Sequence, residues 1–556
     1  MKVAEVIVKM IEKEGVTNAF GIPGAGINPV YEYLGLSKTI KHITMRHEEA
    51  AVHAADGYFR ASGRMAVALC TSGPGATNFV TGMYTAFIDS IPLIAITGQA
   101  HSSLLDKEAF QCVDIANICK TVAKATWCIT KAEDVTKIVS EAFKIAREGR
   151  PGPVLIDLPL DIQMTEIEFN PDTYKPLSID IPKPDHQLIK QAVEMIANAK
   201  SPVMIMGGGV ILSKATNEFV KLAEYLQIPV ITTYMAKGGI PMDHPLNAGH
   251  MGIQVGAPLG NMVFSKADVV IGIGCRFTDR HTGDLKIYRG NRKFIHIDID
   301  KKQLNRMFEP DVSILSDAKL AIEAILEQSK KLTTKREVSE IVKTLPVLRE
   351  SMKRKTFYEN VPIKPQRVYY EINKCFDDNT IFTTGCGLNQ IWSGQFQEIN
   401  KPRRYLPSGG AGTLGFDIPA AIGATEAVPG VKAVAVMGDF GFTFMVEELA
   451  VAVKNKSPII VVIVNNAYLS LIRQNQKYAY KYEYAVKMEE NQTFVDYVRV
   501  AEGFGCKAER VIKPEDIAGA LKRANESDMP YVIDIIVEDQ TDCLMGGNIE
   551  AIKEFE

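Results

Sequence analysis

A chain of 556 residues, 46% hydrophobic and 23% charged, is too long for one core and suits about three or four domains of common size. Its formal charge of -3 at pH 7 and pI of about 6.4 give no basic surface for nucleic acid, and no apolar run reaches the length of a membrane span. Nine cysteines with no Cys-x-x-Cys spacing predict buried thiols in a reducing, cytoplasmic setting rather than a disulfide framework.

Val3, Val6, Ile7, Met10 and Ile11, with Glu5 and Lys9 between them, have helical spacing and lack the apolar core of a secretory signal. The acidic pair Glu48-Glu49 precedes a small-residue helix predicted over residues 52–61; taken alone, it reads as a solvated helix start favoured by the helix dipole. Residues 169–184, rich in Pro and Asp, form a linker that closes a first domain over 1–168. An apolar strand over 202–206 then runs into Gly207-Gly208-Gly209, a turn that lets backbone approach phosphate, though three glycines alone are weak evidence. A second strand over 269–273 leads to Gly274-Cys275-Arg276 and on to Arg280, and a third over 294–299 carries Asp298 at its end. Two arginines answer a diphosphate and the acids answer ribose or adenine donors; a surface salt-bridge network is the plainer alternative. Residues 329–365 mix charge with Pro-bounded segments and read as a second linker, leaving a central domain over 185–330, a third over 360–540 and a tail over 541–556.

The third domain holds the most informative pair. An apolar strand over 431–437 ends in Gly438-Asp439, helical spacing occupies 444–456, and a second apolar strand over 459–464 ends in Asn465-Asn466. Parallel strands gather their carboxyl ends into a crevice, and a carboxylate plus an amide there are hard oxygen donors suited to Mg²⁺ that also carries phosphate. Two unrelated turns would use the same residue types. Alternation of short strands with helices in each unit predicts an α/β fold of three doubly wound parallel-sheet domains.

Gly-Asp, a helix, then Asn-Asn resembles the diphosphate-binding motif of thiamin-diphosphate enzymes. That resemblance implies Mg²⁺ held by Asp439, Asn466 and the carbonyl of Tyr468; the small residue usual after Gly-Asp is Phe440 here, so Gly441 becomes the expected point of close approach to phosphate. Glu48 matches the family's activating glutamate, whose carboxyl bonds the cofactor's aminopyrimidine and favours the tautomer that removes the thiazolium proton. Leu414 matches the residue that props the cofactor, Gly412 the carbonyl that accepts from its amine, and Asn389 a position beside the diphosphate. The central unit resembles the flavin domain of the acetohydroxyacid synthase group, which implies non-redox FAD contacts from Gly208, Gly209, Thr233, Gly274, Arg276, Arg280, Asp298, Asp317 and Ala318. Gly24, Ala25, Gly26, Gln99, Phe110, Gln111, Leu471 and Asn475 match substrate-side positions.

The resemblance runs along nearly the whole chain and is greatest to glyoxylate carboligases, through Arg280-His281-Thr282-Gly283, residues 360–368 and 465–474, Met545-Gly546 and the closing Glu554-Phe555-Glu556. Asn475 stands where acetohydroxyacid synthases have Trp, and Leu388-Asn389 where they have Gln-His; against this, Glu48 stands where glyoxylate carboligases usually have Val. The resemblance implies condensation of two small 2-oxoacids, two glyoxylate giving tartronate semialdehyde and CO₂, in a homodimer or homotetramer with active sites between subunits and no nucleic-acid or membrane partner. Acetolactate synthesis from pyruvate and a pyruvate-oxidase-type flavoenzyme are the alternatives.

Overall fold

The structure, a computed structural model, describes residues 1–331, 337–488 and 495–553, so Glu554-Phe555-Glu556 lie outside the described residues. Three six-stranded parallel sheets follow one another along the chain. The first holds β1 (Asn18–Gly21), β2 (Lys41–Thr44), β3 (Val67–Cys70), β4 (Ile94–Gln99), β5 (Ala125–Cys128) and β6 (Val154–Pro159) in the order β2-β1-β3-β4-β6-β5. The second holds β7 (Pro202–Met206), β8 (Val230–Thr232), β9 (Asn247–His250), β10 (Val269–Ile273), β11 (Lys293–Asp298) and β12 (Val312–Leu315) in the order β12-β11-β10-β7-β8-β9. The third, with β13 (Ile381–Thr384), β14 (Tyr405–Pro407), β15 (Ala433–Gly438), β16 (Ile459–Asn465), β17 (Lys507–Val511) and β18 (Tyr531–Ile536), repeats the order of the first: β14-β13-β15-β16-β18-β17. The inner strands are apolar without alternation because helices cover both faces; every residue of β7, β10 and β16 is buried.

These orders locate the crevices. A doubly wound sheet opens at the carboxyl ends of adjacent strands whose connections leave in opposite directions. That point falls between β1 and β3 in the first sheet, between β7 and β10 in the second, and between β13 and β15 in the third. The central order is the one shared by dinucleotide-binding sheets.

The first and third units share a core. Helix Glu48–Ser62 crosses helix Asp417–Ala427, and one buried apolar cluster runs from Phe20 and Ala54 through Ile418 and Ala421 to Leu449. Glycines allow the crossing: a side chain at Gly57 would strike the backbone of Ala420, and one at Gly423 the backbone of Ala54.

Residues 169–184 carry no helix or strand, as a linker should. The second linker reading needs correction, because helix Glu340–Ser351 lies inside it. Ile341, Leu345 and Leu348 recur at helical spacing and pack on the central core, with Leu345 fully buried, while Pro346 and the surrounding charge mask that stripe in the sequence. The tail folds back on the central unit: the Gly546 amide donates to the Ile253 carbonyl and the Asp284 amide to that of Gly547. No helix among the described residues is long and apolar enough to cross a membrane.

Candidate active site

β15 and β16 pair in register with Gly438 opposite Val464, so Asp439 and Asn466 emerge from neighbouring strand ends. The expected helix over 444–456 is shorter: Asp439–Phe442 forms one turn, Met445 turns the chain at φ 57°, and the helix proper spans Glu448–Asn455. Asp439 is 2% exposed and Asn466 7%. Asn466 Nδ2 donates to Ser470 Oγ at 2.6 Å, and that hydroxyl donates to the Tyr468 carbonyl at 3.2 Å. The bond holds the amide by its nitrogen, and a carboxylate, an amide oxygen and a backbone carbonyl are the hard donor types that suit Mg²⁺ when it also binds phosphate. A side chain at Gly441 would meet Leu414 Cδ2 at 3.7 Å, an ordinary van der Waals contact, so the backbone there is uncrowded. Phe440 turns its ring against Phe444, with centroids 5.3 Å apart.

Asn389, 4% exposed, donates through Nδ2 to the Val436 carbonyl at 3.2 Å and ties the β13 crevice to β15. Gly412 takes φ 63°, donates its amide to the Ser408 carbonyl, and lies beside Cys386 and Arg280. Asp417, which accepts from the Gly385 amide, is pushed up to about 7 by burial. Leu471 and the exposed Asn475 sit on the short helix Ser470–Asn475.

At the first crevice, the helix predicted over 52–61 starts earlier, with Glu48 as its first residue and His47 as its cap. Glu48 Oε2 accepts from Asn78 Nδ2 at 2.9 Å, and Oε1 lies 3.2 Å from the Cβ position of Gly75. Within one chain Glu48 is half-buried, with its first-domain neighbours about it. Gly24 packs so tightly on Thr71 that a side chain would strike it, and the Gly26 amide donates to Thr71 Oγ1 at 3.1 Å, while Ala25 is exposed. Gln99 turns inward: Nε2 donates to the Val113 carbonyl at 2.7 Å and to Asp157 Oδ2 at 3.0 Å, and Oε1 accepts from the Ala100 amide. Phe110 is 88% exposed, beside Gln111, whose Cβ abuts Gly73.

Sequence patterns missed Glu448. It reaches from the third unit to accept the Arg46 and His47 amides on Oε1, at 3.0 and 2.9 Å, just ahead of Glu48. Its Oε2 is buried without a hydrogen-bond partner among the described residues, and burial pushes the carboxyl up to about 8. Asn78 likewise acts through a hydrogen bond between segments far apart in sequence, whereas Ser470 acts through two bonds inside the turn after β16, and neither residue carries a motif of its own.

The central crevice is a cleft of about 950 Å³, near the upper end of the roughly 300–1,000 Å³ usual for small-molecule sites. Gly208 and Gly209 line it after β7, Thr233 after β8, Gly274, Arg276 and Arg280 after β10, Asp298 at the end of β11, and Asp317 and Ala318 at the following helix start. All nine positions expected to contact a dinucleotide thus line one cleft. A side chain on Gly209 would strike Gly274, which explains why two glycine turns can close so tightly. Asp298, 7% exposed, is raised to about 6 by burial, and Arg280 Nε donates to Gln254 Oε1 at 2.5 Å. The ligand-size space, paired arginines and glycine turns fit a diphosphate-bearing dinucleotide.

Three family models match in chain order: the thiamine pyrophosphate enzyme N-terminal TPP binding domain over residues 1–118, the central domain over 189–325, and the C-terminal TPP binding domain over 385–535. A glyoxylate carboligase of Escherichia coli O157:H7 is 44% identical over 100% of this chain and 96% of its own length. Probable acetolactate synthase large subunits of Methanococcus aeolicus and Methanocaldococcus jannaschii are 40% and 41% identical, each over 97% of this chain and 92% of their own. With the three sheets in place and relatives similar from end to end, the chain belongs to the thiamine pyrophosphate enzymes.

Proposed function

We propose that this protein is a thiamin-diphosphate- and Mg²⁺-dependent carboligase that condenses two small 2-oxoacids with loss of CO₂, using glyoxylate as both donor and acceptor. The strand-end set of Asp439, Asn466 and Tyr468, oriented by Ser470, carries the cofactor assignment. Full-length similarity to a glyoxylate carboligase supports the substrate. When bound, thiamin diphosphate supplies a nucleophilic carbon and an electron sink for decarboxylation. The protein's part is positional. Asp439, Asn466 and the Tyr468 carbonyl would hold the metal, the uncrowded backbone at Gly441 would let the diphosphate approach, and Leu414 with the Gly412 carbonyl would support the ring system. Glu48, whose carboxylate is oriented by Asn78, would bond the pyrimidine nitrogen and supply the proton held there. Gly24, Ala25, Phe110, Gln111, Leu471 and Asn475 shape the acceptor pocket.

Two further parts of the reading have their own support. FAD in the central cleft, without redox work, is supported by the dinucleotide strand order and the Arg276 and Arg280 wall. A homodimer with sites between subunits is supported by the apolar side chains left exposed around both half-sites, among them Tyr84, Phe110, Phe444 and Ile472. Nine free thiols, several buried, suit a reducing cytoplasm.

One residue favours a second reading, acetolactate synthesis from pyruvate: Glu48 stands where glyoxylate carboligases usually carry Val. A pocket sized for pyruvate rejects a substrate lacking one methyl by only about 1–3 kcal/mol, so some crossover is expected. Parallel assays of CO₂ release, with products identified by mass spectrometry, should give a higher kcat/KM for glyoxylate alone than for pyruvate alone. A pyruvate preference of about tenfold or more transfers the chain to the acetolactate synthases, and flavin bleaching in step with turnover transfers it to the oxidases.

A further inference from the structure

Asp89, just past helix Pro74–Ile88, is a side chain of the first unit that touches both of the others. It is fully buried. Its Oδ2 accepts from the Gly409 amide at 3.1 Å and from Arg60 Nη2 at 3.0 Å, and its Oδ1 accepts from the Gly410 amide at 2.9 Å. Arg60 is itself paired with Asp56 and donates to the Pro407 carbonyl at 2.8 Å. From the central unit, Arg276 Nη2 stands 3.8 Å from Asp89 Oδ1. Any side chain at Gly410 would strike that oxygen, so the loop is drawn directly onto the carboxylate.

The loop so held leads to the cofactor-side residues. Gly412 and Leu414 follow within five residues, and a second tether, Thr85 Oγ1 to Thr413 Oγ1 at 2.6 Å, fixes the loop to the same helix. Asp89, Gly409, Gly410 and Arg276 also line the 950 Å³ cleft. One carboxylate therefore sits between the wall of the dinucleotide cleft and the loop that carries Gly412 and Leu414.

We infer that Asp89 is a positioning residue that couples the two cofactor sites: a diphosphate-bearing dinucleotide in the central cleft engages Arg276, concentrates Asp89 on the Gly409 and Gly410 amides, and so pre-orders the Gly412–Leu414 loop for thiamin diphosphate. This rests on the dinucleotide reading of the cleft. Filling the cleft also replaces water near the buried carboxylate with ligand, and its hydrogen bonds strengthen as the local dielectric falls. The coupling gives a flavin that transfers no electrons a defined task. It is reciprocal, so thiamin diphosphate must tighten FAD by the same factor.

The test uses the full-length protein stripped of flavin and thiamin diphosphate. Thiamin diphosphate affinity is measured calorimetrically at fixed Mg²⁺, with and without saturating FAD. FAD should lower the thiamin diphosphate Kd about tenfold in the wild type, and Asp89→Asn should bring that ratio to about one. Thr85→Val, which cuts the other tether, should weaken thiamin diphosphate in both states and keep the ratio, a separation that a merely structural role for Asp89 does not produce. If FAD does not bind the wild type, the dinucleotide reading falls and the coupling with it. If FAD binds and the wild-type Kd does not move, the coupling alone is overturned, and this arm needs no variant to fold. An Asp89→Asn protein that keeps the wild-type ratio overturns the assignment to Asp89.

Discussion

Ser470 holds the Asn466 amide by its nitrogen end, because its hydroxyl takes the amide hydrogen and passes its own to the Tyr468 carbonyl. Removing it frees the amide to rotate and weakens two of three proposed donors at once. Ser470→Ala should lower Mg²⁺ affinity in the presence of thiamin diphosphate by about 10–100-fold, the usual cost of losing a group that orients a ligand; calorimetry reads it, and an unchanged affinity would detach Asn466 from the metal. Glu48→Gln should slow exchange of the cofactor's C2 proton in D₂O by orders of magnitude, measured by NMR after acid quench. Glu448 predicts a pH effect. Burial raises its carboxyl from about 4.5 to about 8, so the folded state keeps a proton that the unfolded chain releases, and its stabilising contribution is complete below about pH 4.5 and lost as pH rises to about 8. Asp157, raised to about 7, and Asp298, raised to about 6, slope the same way. Glu448→Gln mimics the protonated acid and should flatten the fall in stability between pH 5 and pH 8 by up to a few kcal/mol, at about 1.4 kcal/mol per pKa unit; a slope equal to wild type in urea melts at the two pH values would place the titration elsewhere. The strand ends that carry Asp439 and Asn466 are legible in the sequence, whereas Asn78 and Glu448 act through bonds formed only after distant segments meet, and Ser470 acts through a turn whose local geometry residue types alone do not specify.

Strands were the most readable elements: residues 202–206 and 269–273 are the observed β7 and β10, since a strand buried on both faces leaves an unbroken apolar run. Helices blurred where tertiary contact overrides propensity. The helix at Glu48 begins four residues before its apolar stretch because Glu448 and the His47 cap hold its start, and Glu340–Ser351 hid behind Pro346. Two glycines separate crowding from propensity. At Gly423 a methyl would land on the Ala54 backbone, so Gly423→Ala must push the two crossing helices apart and should cost about 1–3 kcal/mol. At Gly35, in helix Asn28–Leu36, an added methyl meets nothing within 4 Å, and Gly35→Ala should stabilise by about 0.5–1 kcal/mol through backbone entropy alone. Chemical denaturation of both variants checks the pair; equal signs would mean that helix crossing does not limit the first and third units.

Periodicity predicts three parallel sheets but does not order their strands. The repeated order in the first and third sheets makes them structural cognates without visible sequence repetition, and each presents half of the proposed site: Glu48 in the first unit, Asp439 and Asn466 at the ends of β15 and β16 in the third. If the two halves of a working site come from different copies, two inactive chains can repair each other. In a twofold dimer of Glu48→Gln with Asp439→Ala, one site collects both lesions and the other receives none. Random reassembly of an equimolar mixture makes about half the dimers mixed, with one intact site in two, so activity should return to about a quarter of wild type while each variant alone stays near background. Unfolding the mixture together, refolding it and assaying CO₂ release measures the recovery. If each site were built within a single chain, every site would carry one lesion in any mixture, and no recovery would appear.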